Sequence, residues 1–301
     1  MKTYLCIDVG GTAIKYGLLH EDGTILSTDS IPTPKESIEE FYAVLDEIVH
    51  PVSQRISGIA LSMPGRINNQ TGYIHTGGAI SRYMTKVPLG TLLTERYHLP
   101  VAIENDGKCA AHAELWLGNL KDVNSGAVIV LGTGIGGGIV LNQKVWRGLH
   151  GSAGEFSYLA TDYDKSIIQN ASWAFTNGVY GLLAPYAQIK NIPIHEINGK
   201  VFFEALSNKD EDAQQIFDIY LQRCLNGILT LQSILDVDRY CIGGGISSQD
   251  ILIEAIEKKV NGFFDAAPDY VALIRPTIRR CAFNNNANLI GALKNFIDIH
   301  G

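Results

Sequence analysis

AVIVLGTGIGGGIVL, residues 127 to 141, decides the reading of this chain: an apolar run, a glycine-dense bend and a second apolar run. Short runs of Val, Ile and Leu bounded by glycine predict two β-strands, and a bend so poor in side chains lets backbone N–H groups approach phosphate oxygens. YLCIDVGGTAIKYGLL, residues 4 to 19, repeats the design near the start and places Asp8 ahead of its glycines. Two such bends predict two related lobes with a phosphate-bearing ligand between them.

Gly132, Gly134 and Gly137 also satisfy the GxGxxG spacing of dinucleotide-binding folds. That fingerprint requires a helix to begin among the glycines, so that its N-terminus meets the pyrophosphate. Here Ile139-Val140-Leu141 and then Asn142-Gln143 read as a strand and a hairpin turn, which argues against NAD. No GKS or GKT ending of the P-loop type is present, so the phosphate contact is expected from a β-hairpin turn.

The chain of 301 residues is 46% hydrophobic, enough for a sizeable core in one large or two ordinary domains. Its 24 Lys+Arg against 31 Asp+Glu give a net charge of -7, and no basic run offsets it, so nucleic acid is not an expected partner. No stretch approaches the roughly 18 uninterrupted apolar residues of a membrane span, and the start lacks the zones of a secretion signal, so a cytoplasmic protein without membrane association is expected. The five cysteines are scattered with no CxxC pair, which signals neither a disulfide framework nor a thiolate metal site.

In chain order, residues 3 to 9, 12 to 19 and 24 to 31 read as a strand meander that Pro32 and Pro34 end. A helix follows with Ser37 as N-cap and Glu40 placed for a capping box. The strand ISGIALSMPG comes next, and Pro64-Gly65 puts a turn at its carboxyl end, where open α/β sheets bind ligands. A helix around residues 88 to 97, the strand VAIEN and the helix DGKCAAHAELWLG complete the first half, with Asn105 and Asp106 at the last junction. Strands at 125 to 131 and 135 to 141 open the second half; residues 150 to 182 read as irregular and 210 to 235 as one long helix. The strand RYCIG, the turn Gly243-Gly244-Gly245, another helix, a strand near 271 to 274 and a helix from about Asn286 finish the chain.

Several residues carry candidate chemistry. In Asp8-Val9-Gly10-Gly11-Thr12 the bare backbone suits phosphate oxygens, Thr12 and Lys15 add donors and charge, and Asp8 at a strand end suits a hydrated Mg²⁺ ion. The alternative is a plain hairpin with a solvated acid. Gly243-Gly244-Gly245 leaves room for a purine face or serves as an ordinary strand-to-helix turn. Asp106 is the candidate general base for a hydroxyl nucleophile, and Asn105 or Asp106 also suits a helix cap. Glu155, within Gly151-Ser152-Ala153-Gly154-Glu155-Phe156, suits a polyol, since a carboxylate accepts from hydroxyls, although taken alone it reads first as a solvated acid.

DVGGT at 8 to 12, SMPG at 62 to 65, ENDGKCAAHAE at 104 to 114, LGTGIGGGIV at 131 to 140, GLHGSAGEF at 148 to 156 and CIGGGIS at 241 to 247 together resemble the bacterial sugar kinases of the ROK family. The likeness spans nearly the whole chain. It implies an α/β, actin-like (ribonuclease H-like) ATPase fold of two lobes about a cleft, usually a homodimer. The division it implies is a small lobe of residues 1–107, rejoined by a C-terminal helix at 284–301, and a large lobe of residues 108–283. By similarity, Asp8, Gly10, Gly11, Thr12 and Lys15 would contact the phosphates and magnesium of ATP. Gly132, Thr133 and Gly134 would form the second phosphate turn, with Gly244 and Gly245 beside the adenosine. Gly65, Asn105, Asp106 and Glu155 would face the sugar, Asp106 as the base.

Two departures from the family pattern stand out. Tyr158 occupies the position where members commonly carry His, and residues 159 to 181 hold no cysteine where members carry a zinc element, so zinc is not expected. The sugar-contacting acid that follows that element in members also lacks a counterpart, and around Ser172 and Trp173 the sequence offers a hydroxyl and an aromatic face instead; this loss of polar grips suggests a substrate larger than a bare hexose, such as a β-glucoside or an N-acylated hexosamine. The expected activity is transfer of the ATP γ-phosphoryl group to a sugar hydroxyl, that on C6. The alternatives are a sugar-binding regulator of the same family without catalysis, or a DNA-binding repressor; the latter is disfavoured because only seven residues precede Asp8.

Overall fold

The computed structural model describes residues 1–301. The first half opens with the meander β1 (Thr3–Val9), β2 (Ala13–His20) and β3 (Ile25–Pro32). It continues through α1 (Ile38–Val49), β4 (Ile59–Met63), the hairpin β5 (Arg66–Asn68) and β6 (Tyr73–Thr76), α2 (Leu89–Tyr97), β7 (Val101–Asn105) and α3 (Asp106–Trp116). Ser37 caps α1 by accepting from the Glu40 N–H at 3.2 Å, as its sequence position suggests.

The second half repeats the plan with β8 (Gly126–Leu131), β9 (Ile135–Leu141) and β10 (Lys144–Trp146). Then come α4 (Trp173–Asn177), α5 (Val179–Lys190), α6 (Gly199–Ser207), α7 (Glu211–Leu235), β11 (Arg239–Gly243), α8 (Asp250–Ala266), β12 (Thr277–Arg280) and α9 (Ala287–His300). The two five-stranded sheets have the orders β3-β2-β1-β4-β7 and β10-β9-β8-β11-β12. In each, the first three strands pair antiparallel and the last two add in parallel. The internal similarity of sequence is therefore a repeat of topology, the arrangement of the actin-like ATPase fold.

The parallel strands β4, β7 and β11 are buried under helices, as such strands require, whereas the edge strand β3 is largely exposed. Ile216, Phe217, Tyr220, Cys224, Ile228 and Leu231 recur at helical spacing along α7 and enter the core over the second sheet. Leu289, Ile290, Leu293 and Phe296 of α9 pack on Tyr4, Cys6, Ala60 and Ala102 of the first sheet and on Cys109 and Ala113 of α3. All five cysteines are buried. No helix is long and apolar enough to cross a membrane.

Two stretches differ from the sequence reading. Residues 271–276 form no strand; the ladder with β11 begins at Thr277, immediately after Pro276, which has no N–H to donate, and Ile274 is left exposed. The region read as irregular contains α4 and the start of α5. Gly178, Gly181 and Pro185 obscure their periodicity. Ser172 caps α4 through the Phe175 N–H and Trp173 is 1% exposed in the core of the second half, so neither offers the hydroxyl or aromatic face to a substrate that the sequence suggested.

Candidate active site

The glycines of β9 assemble the site. A Cβ on Gly138 would lie 2.5 Å from the Ala111 Cβ and 2.6 Å from the Gly107 carbonyl oxygen, so the missing side chain lets the first turn of α3 rest against the strand. On Gly137 a Cβ would meet the Phe156 ring at 2.2 Å and the Gly154 carbonyl at 2.6 Å. The same two residues thus admit the head of α3, which carries Asp106, and the loop that carries Glu155. Ser157 locks that loop to β9, with its hydroxyl accepting from the Ile135 N–H at 3.0 Å and donating to the Ile135 carbonyl at 3.1 Å.

Gly65, Asn105, Asp106, Glu155 and Tyr158 line one cavity of about 880 Å³ together with the Gly132-Thr133-Gly134 turn. The Val179 N–H at the start of α5 holds the Gly132 carbonyl at 2.8 Å and so fixes the turn. A second cavity of about 650 Å³ is lined by Asp8, Lys15, Gly243 and Gly244. Val130 and Asn288 line both cavities, which are therefore neighbours across one strand end and one helix start. Gly244, at φ +93°, lies so close to β8 that a Cβ would sit 2.2 Å from the Leu131 carbonyl oxygen, one residue from the second turn. Gly245 follows it in a 3₁₀ turn, Gly245–Ser248. Gly10, Gly11 and Thr12 cap the β1–β2 hairpin, where a Cβ on Gly11 would touch Ala79 of the larger cavity at 3.0 Å.

The acids are differently placed. Asp8 Oδ1 accepts from the Ser62 hydroxyl at 2.7 Å and from Asn288 Nδ2 at 3.0 Å, which leaves Oδ2 without a protein partner. Burial pushes its pKa above the usual carboxylate range despite those bonds and the nearby Lys15. Asp106 Oδ1 accepts from the Gly107 N–H at 2.8 Å and from Asn105 Nδ2 at 2.9 Å; Oδ2 is again without a protein partner. Burial, with smaller contributions from Asp8 and Glu155, raises the Asp106 pKa to about 6, against the lowering effect of the Gly107 N–H and Lys108. Such a carboxylate is ionised at neutral pH yet more basic than a surface aspartate.

Two candidates are engaged within the protein. Lys15 donates to the Asn285 carbonyl at 3.1 Å and to Asn286 Oδ1 at 2.5 Å, so its ammonium ties β2 to the segment before α9. Asn105 donates to the Gly65 carbonyl at 3.0 Å and to Asp106, and accepts from both the backbone N–H and the ammonium of Lys108. Those four bonds exhaust a side-chain amide.

A profile of the ROK family matches residues 4–298. The chain belongs to the ROK family. Among relatives of this ROK protein, a beta-glucoside kinase of Listeria monocytogenes is 31% identical over 291 residues, covering 96% of each chain. A solved Listeria monocytogenes protein described as a candidate N-acetylmannosamine kinase is 30% identical, covering 99% of this chain and 100% of that one, with a TM-score of 0.89. A ROK family protein of Streptococcus pneumoniae solved in complex with sucrose is 31% identical, covering 98% of both chains, with a TM-score of 0.87.

The site of this ROK protein also contains residues that sequence reasoning missed. Asn288 stands between the cavities and touches Asp8, yet nothing in the run of asparagines near the C-terminus marks it. Lys108 lay in plain view within ENDGKC, but a lysine two residues into a helix reads as a solvated charge, and here it is 1% exposed. Behind the site, Arg147 Nε donates to Glu104 Oε2 at 2.6 Å, and Arg147 Nη2 reaches His112 Nε2 at 2.8 Å and Asn295 Oδ1 at 3.0 Å. Burial and Arg147 push the His112 pKa well below its ordinary value, so that its ring is neutral.

Proposed function

We propose that this chain is an ATP-dependent sugar kinase that transfers the γ-phosphoryl group of ATP to the C6 hydroxyl of a hexose or hexose derivative. The observation that carries this reading is the unpartnered Oδ2 of Asp106 in the cavity that also holds the Gly132–Gly134 turn and Glu155. A sugar hydroxyl becomes a competent nucleophile when its proton has a basic acceptor, and Asp106, with its pKa of about 6, is that acceptor at neutral pH. The Gly107 N–H and Asn105 hold the carboxylate by its other oxygen and fix its aim. Glu155 and the Gly65 turn orient the sugar, Asn105 acting through Asp106 and Gly65 rather than on the sugar itself.

Backbone N–H groups of Gly10–Thr12 and Gly132–Gly134 would hold the phosphates, and Gly244 and Gly245 the adenosine. Asp8 fits a hydrated Mg²⁺ ion: it is a desolvated carboxylate oriented by Ser62 and Asn288 through one oxygen, with the other free. Bound there, magnesium would neutralise phosphate charge. We assign residues 1–107 with 284–301 to one lobe and 108–283 to the other, so that closure excludes water from the transfer.

Tyr158 is 65% exposed at the wall of the larger cavity and offers an aromatic face to a substituent on the sugar. Together with the beta-glucoside kinase relative, this favours a β-glucoside. The test is ATP, magnesium and a panel of cellobiose, N-acetylmannosamine and glucose. A kcat/KM for cellobiose above that for glucose is expected, and glucose tenfold better than both others would defeat the substrate assignment.

A further inference from the structure

Lys108 is the only buried lysine of the chain, and it lies beside the site. It sits in the first turn of α3, two residues beyond Asp106, and only 1% of its side chain is exposed. A buried ammonium is retained at a high desolvation cost unless it is paired and hydrogen-bonded. Here it donates to Glu155 Oε1 at 3.3 Å and to Asn105 Oδ1 at 3.3 Å. Those two acceptors come from different halves of the chain: Asn105 ends β7, while Glu155 sits in the loop beyond β10.

We propose that Lys108 is a positioning residue for the sugar: its ammonium clamps Glu155 against the head of α3, so that Glu155 and Asp106 present their free oxygens to one substrate. The inference rests on the kinase reading given above. Glu155 is one-third exposed on a glycine-rich loop, and its only ion-pair partner is Lys108. Released from the ammonium, a glutamate with several rotatable bonds turns into solvent and away from Asp106, whose carboxylate carries like charge. Asn105 is tied to the same clamp, since its Oδ1 takes both the backbone N–H and the ammonium of Lys108 while its Nδ2 holds Asp106 Oδ1. The lysine therefore fixes the sugar acceptor directly and the aspartate through one intermediate amide.

The test is a double-mutant cycle of Lys108→Met and Glu155→Gln, assayed with ATP, magnesium and, in parallel, cellobiose and glucose. Lys108→Met is expected to raise the KM for the sugar about 10- to 100-fold, the range of a charge-assisted hydrogen bond, with the KM for ATP within about twofold of wild type. In the Glu155→Gln background the same substitution should change the sugar KM by less than about threefold, because the group through which it acts is already altered. Thermal unfolding of each variant shows which are folded. An equal effect of Lys108→Met in both backgrounds, or a fall in kcat with the sugar KM unchanged, overturns the proposal. A wild-type protein that phosphorylates none of cellobiose, glucose and N-acetylmannosamine refutes the kinase reading instead, so the two failures are distinguishable.

Discussion

Replacing Asp106 by Asn should weaken the enzyme and strengthen the fold at once. Both hydrogen bonds to this side chain end on Oδ1, from Asn105 Nδ2 and the Gly107 N–H, so an asparagine oxygen in the same place accepts both. What disappears is a half-buried, poorly hydrated negative charge. The carboxyl is displaced from an ordinary 3.8 to about 6; at about 1.4 kcal/mol for each tenfold change in ionisation constant, that corresponds to at most about 3 kcal/mol. The sign follows from the direction: a carboxyl with a raised folded-state pKa favours the fold below its unfolded value and loses that contribution as the pH rises. The stability gap between variant and wild type should open between about pH 4 and pH 6, reach about half its full size near pH 5, and stay constant above about pH 7. Denaturant unfolding of both proteins at several pH values between 5 and 8, without nucleotide or magnesium, reads the gap directly. Turnover of the same variant should fall about 10² to 10⁴-fold, the usual worth of a positioned base. A variant no more stable than wild type at pH 7.5, or a gap that does not change between pH 5 and pH 8, would refute the reasoning about burial; full turnover would refute the role.

Three further outcomes are expected. The kcat/KM of the wild-type enzyme should fall about tenfold per pH unit below about pH 6, as Asp106 takes up its proton; a flat profile down to pH 5 would exclude it as the base. Gly138→Ala should force α3 off β9, since the added carbon would lie 2.5 Å from Ala111. A loss of about 1 to 3 kcal/mol in denaturant unfolding, with a lower kcat, is predicted, and unchanged stability would show that the contact yields. Arg147→Met leaves Glu104, 1% exposed, without its cation; about 3 to 5 kcal/mol of destabilisation is expected at neutral pH, measured in the same way.

The repeated strand, glycine bend and strand made the two-sheet plan legible, because period and turn chemistry are local properties of sequence. Asp106 was legible for the same reason, being the acid where an apolar strand meets a helix. What a local reading misses is mutual exclusion. The apolar Val271–Ile274 satisfies strand propensity, but Pro276 delays the ladder to Thr277. Gly137 and Gly138 read as part of the strand at 135 to 141, whereas the backbone and rings that press on them show that the absence of a side chain there is what brings the site together. Lys108 and Asn288 acquire meaning only from partners 47 and 280 residues away in sequence, Glu155 and Asp8. Asn105 matched the sugar pattern by type, yet its amide is filled by four bonds inside the protein.

That three glycine bends and one carboxylate form a single phosphoryl-transfer site is tested most directly by a crystal structure with a non-hydrolysable ATP analogue, magnesium and cellobiose. The terminal phosphate should lie between the Gly10–Thr12 and Gly132–Gly134 turns, with the sugar C6 hydroxyl within hydrogen-bond reach of Asp106 Oδ2. Nucleotide found elsewhere, for example in the groove lined by Phe217 and Leu221 of α7 and Ala255 and Phe263 of α8, would contradict it, as would a sugar seated away from Asp106.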